Sequence, residues 1–177
     1  MDYNIMILHL VDINFEMVEQ WKIYFTDFPD VKIECGDILE LAENTIVSPA
    51  NSHGFMDGGI DEIYSRFFGA TPEKNIQRAI RLRPEGCLPV GAAVLVNTGH
   101  SRIPYMISAP TMETPGSVPP AHCFFAMAAI LKVAHKYKDK VSRLFCPGLA
   151  TGTGRVAPEL AAKEMAAAYG KYLRTVS

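Results

Sequence analysis

The sequence predicts an α/β fold with a mixed, largely parallel central sheet of about six strands and helices on both faces. Short apolar segments that suit buried strands alternate with segments whose apolar residues recur at helical spacing. The strand segments lack the strict polar alternation of a sheet with one solvated face. Two glycine-rich loops each follow a predicted strand and precede a predicted helix, as the connections of a parallel sheet do.

In the first half of the chain, apolar runs predict strands at residues 4–11, 31–35 and 45–48. Helical spacing predicts a helix at 15–28, capped by Asn14 and ended by Pro29. A second helix is predicted at 60–68, before Gly69, and a third starts at Thr71 and Pro72, because proline suits the first helical position.

In the second half, strands are predicted at residues 91–96, 105–109 and 143–146. A long helix is predicted at about 120–138, and a last one begins near Leu160. Residues 111–120 contain three prolines and a glycine, so they form an irregular loop. No repeat or linker interrupts the pattern, and we therefore expect one domain over residues 1–177.

Composition limits the classes of function. The 177 residues are 49% hydrophobic and 20% charged, with a net charge of −2. General nucleic-acid binding is not expected, because it usually needs a basic surplus. The longest apolar run, at 123–131, is half the length of ~18 residues that would span a bilayer. No lysine or arginine precedes Lys22 to begin a secretory signal, so we expect a cytoplasmic protein without membrane contact.

The cysteines and histidines show no metal-ligand spacing. We expect four buried, reduced cysteines, and histidines that are structural or face solvent. A disulfide or a metal site built from distant residues is the alternative. The sequence predicts no metal and no cofactor.

The two glycine-rich loops, at residues 49–59 and 147–155, follow predicted strands of one sheet. Because the carboxyl ends of parallel strands meet at one edge, both loops and the helix N-termini behind them should lie together. Free backbone N–H groups and the positive ends of helix dipoles bind phosphate. The alternative for each loop is a tight turn without a ligand.

Residues 152–157 match the dinucleotide pattern G-x-G-x-x-A between a strand and a helix. A nicotinamide-dependent dehydrogenase also needs a second strand with an acidic residue about 20 positions further on. The sequence shows no such strand after this loop, so we reject the dehydrogenase, although the loop can still bind phosphate.

Ordered segments of the sequence resemble the macro domain, an ADP-ribose-binding module with a three-layer α/β/α fold. Gly-Asp-Ile at 36–38 and Asp-Gly-Gly-Ile-Asp at 57–61 are similar to its motifs, as are Pro-Val-Gly at 89–91 and Ala-Thr-Gly-Thr-Gly at 150–154. Ile-Val-Ser-Pro-Ala-Asn-Ser at 46–52 resembles the family's Ile-Val-Asn-Ala-Ala-Asn-Ser. The match covers about residues 31–169. Ten positions separate Asn51 from Asp61, as in MacroD-type hydrolases.

The resemblance implies a role for each matched residue. Asp37 would accept a hydrogen bond from the adenine amino group beside the Ile38 backbone, and Asn51 would hold the distal ribose. Asp61 would lie next to the scissile anomeric bond. A turn residue is the alternative for Asp37, and a loop cap for Asn51. The residues implied around the diphosphate are Asp57, Gly58, Gly59, Ile60, Ala150, Thr151, Gly152, Thr153, Gly154 and Arg155.

The sequence departs from the family pattern at several positions. Ser48 stands where an asparagine is usual, and Asp57 replaces a glycine, which puts a carboxylate near the diphosphate. Asp57 must point away, pair with a cation or take part in chemistry. The second loop lacks the usual aromatic residue, and Arg155 could supply local positive charge. An extra strand and helix at about 4–28 precede the match, and no residue is identified that packs on adenine.

The resemblance implies a hydrolase that releases ADP-ribose from a mono-ADP-ribosylated target or an O-acyl group. Asp61 would stabilise the oxocarbenium-like transition state and orient water. Its place at a helix start predicts a lowered pKa, and therefore a weak base. His53 is a competing proton carrier. The alternatives are a non-catalytic ADP-ribose or nucleotide reader and, less favoured, a phosphatase acting on ADP-ribose 1″-phosphate.

Overall fold

The structure is a computed structural model that describes residues 6–177. Residues 4 and 5 of the first predicted strand lie outside the described residues. The strands are β1 (Ile7–Asp12), β2 (Lys32–Cys35), β3 (Thr45–Asn51), β4 (Val94–Asn97), β5 (Tyr105–Met112) and β6 (Arg143–Cys146). The helices are α1 (Phe15–Tyr24), α2 (Ile38–Leu41), α3 (Gly59–Phe68), α4 (Thr71–Arg81), α5 (Ala121–Lys136) and α6 (Pro158–Val176).

The strands form one six-stranded sheet in the order β2-β1-β6-β3-β5-β4. All neighbouring strands are parallel except β4, which runs antiparallel to β5. Helices α1, α5 and α6 pack on one face, and α2, α3 and α4 on the other. The prediction of a mixed, largely parallel sheet in a three-layer α/β/α fold is therefore confirmed.

Adjacent residues of the central strands point into the two opposite cores. Ile46 packs with the side chains of α2, α3 and α4, whereas its neighbour Val47 packs with those of α1, α5 and α6. Both side chains are fully buried. A strand that is covered on both faces needs apolar residues at every position, which explains the continuous apolar runs in the sequence.

β3 and β5 continue past the ends that the sequence predicted, to Asn51 and Met112. Both strands contain a proline in the added part, Pro49 and Pro110. β6 pairs with β3 only at Thr45 and Ile46, so Pro49 has a strand neighbour on one side only. Proline is tolerated at such edge positions. The loop predicted from residue 49 therefore begins three residues later.

Other differences are local. α2 is a single turn, too short to show a periodicity in the sequence, and α1 ends at Tyr24 rather than at residue 28. All four cysteines are free, but the prediction that all are buried is wrong. Cys35 is exposed because it ends an edge strand whose residues are mostly exposed. Cys87 is half-buried. No helix within residues 6–177 is long and apolar enough to cross a membrane.

Candidate ligand-binding and active site

A cleft of about 420 Å³ lies at the carboxyl ends of the parallel strands. Its walls are the residues that end or follow β1, β2, β3, β5 and β6. The chain runs outward from β1 to β2 on one side of β6, and from β3 to β5 on the other side. Open α/β sheets bind their ligands where the strand order changes direction in this way.

Asn51 shapes the first glycine-rich loop from the end of β3. Its side-chain oxygen accepts hydrogen bonds from the backbone N–H groups of His53, at 3.0 Å, and Phe55, at 3.4 Å. Its amide nitrogen donates to the carbonyl oxygen of Phe55 at 2.9 Å. Asn51 therefore caps the loop, which was the predicted alternative to a role in binding the distal ribose. It also lines the cleft. One N–H of its amide group remains available to a ligand.

The same loop is fastened to α3 and α4. The backbone N–H of Met56 donates to the Glu73 carboxylate at 2.7 Å, and the Ser65 hydroxyl donates to the Met56 carbonyl at 2.9 Å. Gly54 has a φ of +73°, and a Cβ there would lie 2.8 Å from Ile80. These contacts fasten the loop to α3 and α4 and favour the conformation that it has here.

The N-terminus of α3 faces the cleft without a side-chain cap. Gly58 precedes the helix, and Gly59 begins it with a φ of +58°, a conformation that favours glycine. A Cβ on Gly59 would lie 3.8 Å from the Thr153 hydroxyl, so the two loops approach each other here. Exposed N–H groups at a helix start form a site for an anion.

Backbone geometry holds the second loop. Ala150 and Arg155 both have left-handed φ values, of 57° and 55°, which are uncommon for residues with a side chain. The Val156 N–H donates to the Ala150 carbonyl at 2.9 Å and closes the loop. A Cβ on Gly154 would lie 2.6 Å from the same carbonyl oxygen, so only glycine fits there. Strained residues of this kind occur often at ligand clamps.

Asp12 joins the end of β1 to the second loop, and sequence analysis did not identify it. One carboxylate oxygen accepts from the Asn14 N–H at 2.9 Å and the other from the Gly148 N–H at 3.0 Å. A Cβ on Gly148 would lie 2.9 Å from the Thr151 hydroxyl. The only sequence signal for this role is an aspartate that ends an apolar strand.

Asp37 caps α2 by accepting the Leu39 N–H at 2.9 Å. It is exposed and lines the cleft beside Ile38. Within the described residues its second carboxylate oxygen has no hydrogen-bond partner. Asp37 is therefore a cap residue, and it still presents an acceptor at the β1–β2 end of the cleft.

Asp61, in the first turn of α3, lines the cleft but is only 4% exposed. The Ser48 hydroxyl donates to its Oδ1 at 2.6 Å. Burial raises the pKa of Asp61 to about 7, against the opposing hydrogen bond from Ser48, and the nearby charges of Glu73 and Asp57 raise it further. The expectation that the helix dipole lowers this pKa is wrong, because loss of solvation outweighs the dipole.

The structure brings every predicted site residue to the cleft except one. Arg155 is exposed but does not line the cleft, so the idea that it supplies charge there is not supported. Asp57 lines the cleft, is exposed and forms no ion pair within the described residues. His53 is exposed and does not line the cleft, so its position does not support a role as proton carrier.

An open, largely parallel sheet with two glycine-rich loops and an uncapped helix N-terminus around one cleft defines an anion-binding α/β domain. The family model described as Macro domain matches residues 47–165 of the chain. The chain therefore belongs to the macro domain family, and the predicted resemblance to this family is confirmed.

Two relatives cover most of the chain. The chain is 37% identical over 138 residues to an uncharacterised protein of Aquifex aeolicus, across 77% of this chain and 78% of that protein. It is 31% identical over 137 residues to an uncharacterised protein of Aeropyrum pernix, across 77% of this chain and 68% of that protein.

Solved structures support the fold. The macrodomain of Mycobacterium tuberculosis DarG matches with a TM-score of 0.64 and 20% identity, over 78% of this chain and 88% of that one. The Oceanobacillus iheyensis macrodomain with MES bound matches with a TM-score of 0.64 and 21% identity, over 79% of this chain and 75% of that one. Thermosipho africanus DarTG in complex with ADP-ribose matches with a TM-score of 0.60 and 15% identity, over 77% of this chain and 37% of that one.

Proposed function

We propose that the protein binds ADP-ribose in this cleft and hydrolyses the bond that links it to a mono-ADP-ribosylated target or an O-acyl group. The observation that carries the proposal is a buried, hydrogen-bonded carboxyl group, Asp61, in the wall of a cleft suited to a diphosphate. The spacing of Asn51 and Asp61 favours a MacroD-type hydrolase. The site draws on segments from β1 to the loop before α6, so we further propose that residues 1–177 act as one domain.

The order of the strands supports one orientation of the ligand. The diphosphate would lie in the middle, between the N-terminus of α3 and the loop at 150–154, where β3 and β6 are neighbours. The adenine would lie at the β1–β2 end, with its amino group on the free oxygen of Asp37. Ile13 lines that end of the cleft and is 78% exposed, so it is available to pack on the base. The distal ribose would then reach Asn51 and Asp61.

The raised pKa of Asp61 suits proton transfer at neutral pH, because a general base works best when its pKa lies near the working pH. In glycosidic hydrolysis, water would add to the anomeric carbon as the bond to the leaving group breaks. Ionised Asp61 would accept the water proton. The leaving group would depart with the bonding electron pair, either as a carboxylate or, for a hydroxyl or nucleobase target, with a proton taken from solvent. In ester hydrolysis, the same activated water would add to the acyl carbon. Collapse of the tetrahedral intermediate would then break the acyl–oxygen bond and release the carboxylate, and the ADP-ribose oxygen would keep the bonding electron pair and take the proton from Asp61. The negative charge of Asp61 would also stabilise oxocarbenium character.

A non-catalytic ADP-ribose reader is the second candidate. The observation that favours it is the near-complete burial of Asp61 together with the loop contacts that occupy most of the Asn51 amide group. A reader needs the two loops and Asp37 but not Asp61. A phosphatase for ADP-ribose 1″-phosphate is less favoured.

The decisive experiment presents the protein with mono-ADP-ribose on carboxylate, hydroxyl and nucleobase linkages, and with O-acetyl-ADP-ribose. Released ADP-ribose is measured by chromatography, and Asp61→Asn serves as the matched control because it keeps the side-chain shape. We expect turnover of at least one linkage that Asp61→Asn lacks. Calorimetric binding of ADP-ribose without any turnover would favour the reader. Release of phosphate from ADP-ribose 1″-phosphate alone would favour the phosphatase. The absence of heat with millimolar ADP-ribose would reject all three candidates.

A further inference from the structure

Two buried serines lie side by side in the sheet beneath the cleft. Ser48 of β3 and Ser108 of β5 are register partners, and both are fully buried. Their hydroxyl groups differ in one respect. The Ser48 hydroxyl donates to Asp61, whereas the Ser108 hydroxyl has no hydrogen-bond partner within the described residues. The chain thus contains a matched pair of positions, only one of which touches the proposed catalytic group.

The bond from Ser48 ties the start of α3 to the strand below it. Its 2.6 Å length falls in the range of hydroxyl-to-carboxylate bonds, which are short and strong. Three residues further along α3, the Tyr64 hydroxyl donates to the Val47 carbonyl at 3.0 Å. The helix is therefore fastened to two adjacent residues of β3 on the side that lines the cleft.

We propose that Ser48 is a positioning residue for the hydrolase, whose hydroxyl fixes the rotamer of Asp61 and occupies Oδ1 so that Oδ2 is left to act in the cleft. The inference rests on the proposed function and extends it to a residue outside the cleft lining. Sequence analysis noted Ser48 only as a departure from the family pattern, where an asparagine is usual.

The surroundings of Asp61 show why this one bond matters. Burial raises its pKa, and so do the negative charges of Asp57 from the preceding loop and Glu73 from α4. Tyr64 lies close to it on the same helix and is uncharged at neutral pH like any tyrosine, and burial raises its pKa further. The Ser48 hydrogen bond acts in the opposite direction and favours the ionised form. Loss of this bond therefore leaves less ionised Asp61 at pH 7.

The test compares Ser48→Ala with Ser108→Ala, which delete one buried hydroxyl each from neighbouring positions. For Ser48→Ala we expect kcat at pH 7 to fall about fivefold with KM little changed, because a rise of about one unit in the pKa of Asp61 lowers its ionised fraction at pH 7 from about a half to about a tenth. The acidic limb of the kcat profile should move up by about one pH unit. Ser108→Ala should match wild type in both measurements. Ser48→Thr keeps a hydroxyl group at position 48 and should therefore be more active than Ser48→Ala.

A second measurement needs no turnover. The Asp61 carboxyl carbon is titrated by ¹³C NMR, with its signal assigned by its absence in Asp61→Asn. We expect Asp61 to titrate at higher pH in Ser48→Ala and unchanged in Ser108→Ala. If Ser48→Ala does not fold, Ser48→Cys replaces it, because its slightly larger thiol fills the site and is a weaker hydrogen-bond donor than the hydroxyl. If the wild type is active and Ser48→Ala keeps both the wild-type pH profile and the wild-type titration of Asp61, the role of Ser48 is rejected and the proposed hydrolase is not. A wild type without turnover on any linkage overturns the hydrolase, and the catalytic role of Ser48 with it.

Discussion

The cleft has an aspartate near each end, and both residues lie at the start of a helix. Asp37 is the N-cap of α2, is exposed and binds a backbone N–H. Asp61 is in the first turn of α3, is buried and binds a serine hydroxyl. The helix dipole acts on both, but only Asp61 is almost completely buried. Burial, and not the position on a helix, therefore separates the proposed binding carboxylate from the proposed catalytic one.

The largest expected effect is on stability. The folded-state pKa of Asp61 is raised from 3.8 to about 7, so the folded protein holds this proton more tightly than the unfolded chain does. Its contribution to stability is present below about pH 4 and is lost as the pH rises to about 7. Relative to wild type, Asp61→Asn should gain up to about 4 kcal/mol in the free energy of unfolding between pH 4 and pH 8. Urea melts of both proteins at the two pH values measure this difference.

The matched control for this effect is Asp37→Asn at the exposed end of the cleft. Its stability relative to wild type should change much less between the same pH values. Parallel pH dependences of wild type and Asp61→Asn would show that Asp61 is solvated in the folded protein, and the contrast between the two aspartates would then disappear.

Turnover should separate the two aspartates next. Asp61→Ala should reduce hydrolysis of a mono-ADP-ribosylated substrate by at least ~100-fold, the low end for a positioned acid–base group. Binding of ADP-ribose should change little or improve, because a carboxylate is removed from near an anion. This combination indicates an interaction made mainly in the transition state. Steady-state kinetics and calorimetry on one preparation measure both quantities, and full activity in the variant would exclude Asp61 as the catalytic group.

Asp37→Ala should show the opposite pattern. The loss of one charge-assisted hydrogen bond to adenine should weaken ADP-ribose binding about ten- to a hundredfold, since such bonds contribute ~1.5–3 kcal/mol. The rate at saturating substrate should stay near that of wild type. Asp37→Asn keeps an oxygen that can cap α2, so it distinguishes loss of the cap from loss of the adenine contact. A folded Asp37→Ala variant with unchanged affinity would assign Asp37 to the cap alone.

Much of this arrangement could be predicted from the sequence because it depends on local patterns. The continuous apolar runs predicted a sheet covered on both faces, and the glycine-rich loops predicted where the cleft lies. The motifs around Asp37 and Asp61 identified both residues before their environment was known. Each of these features is recorded within a few consecutive residues of the chain.

The rest depends on contacts between distant parts of the chain. Ser48 meets Asp61 only after α3 packs on β3, and Asp12 meets Gly148 across 136 positions of sequence. The direction of the Asp61 pKa shift was predicted wrongly for the same reason. A helix start is visible in the sequence, whereas the removal of water by α4 and the sheet is a tertiary effect.

The smallest expected effect is on ligand affinity, and it tests whether the charge of Asp61 interacts with the bound diphosphate. A bound diphosphate repels the ionised form of Asp61, so ADP-ribose should bind more tightly when Asp61 is protonated. Affinity should therefore fall as the pH rises through about 7, the pKa of Asp61 in the free protein. A screened repulsion of about 1 kcal/mol corresponds to a change of roughly fivefold. Calorimetry from pH 6 to pH 8.5 should show this slope in wild type and Asp37→Asn but not in Asp61→Asn. An equal slope in Asp61→Asn would assign the pH dependence to another group. The diphosphate would then lie too far from Asp61 for their charges to interact.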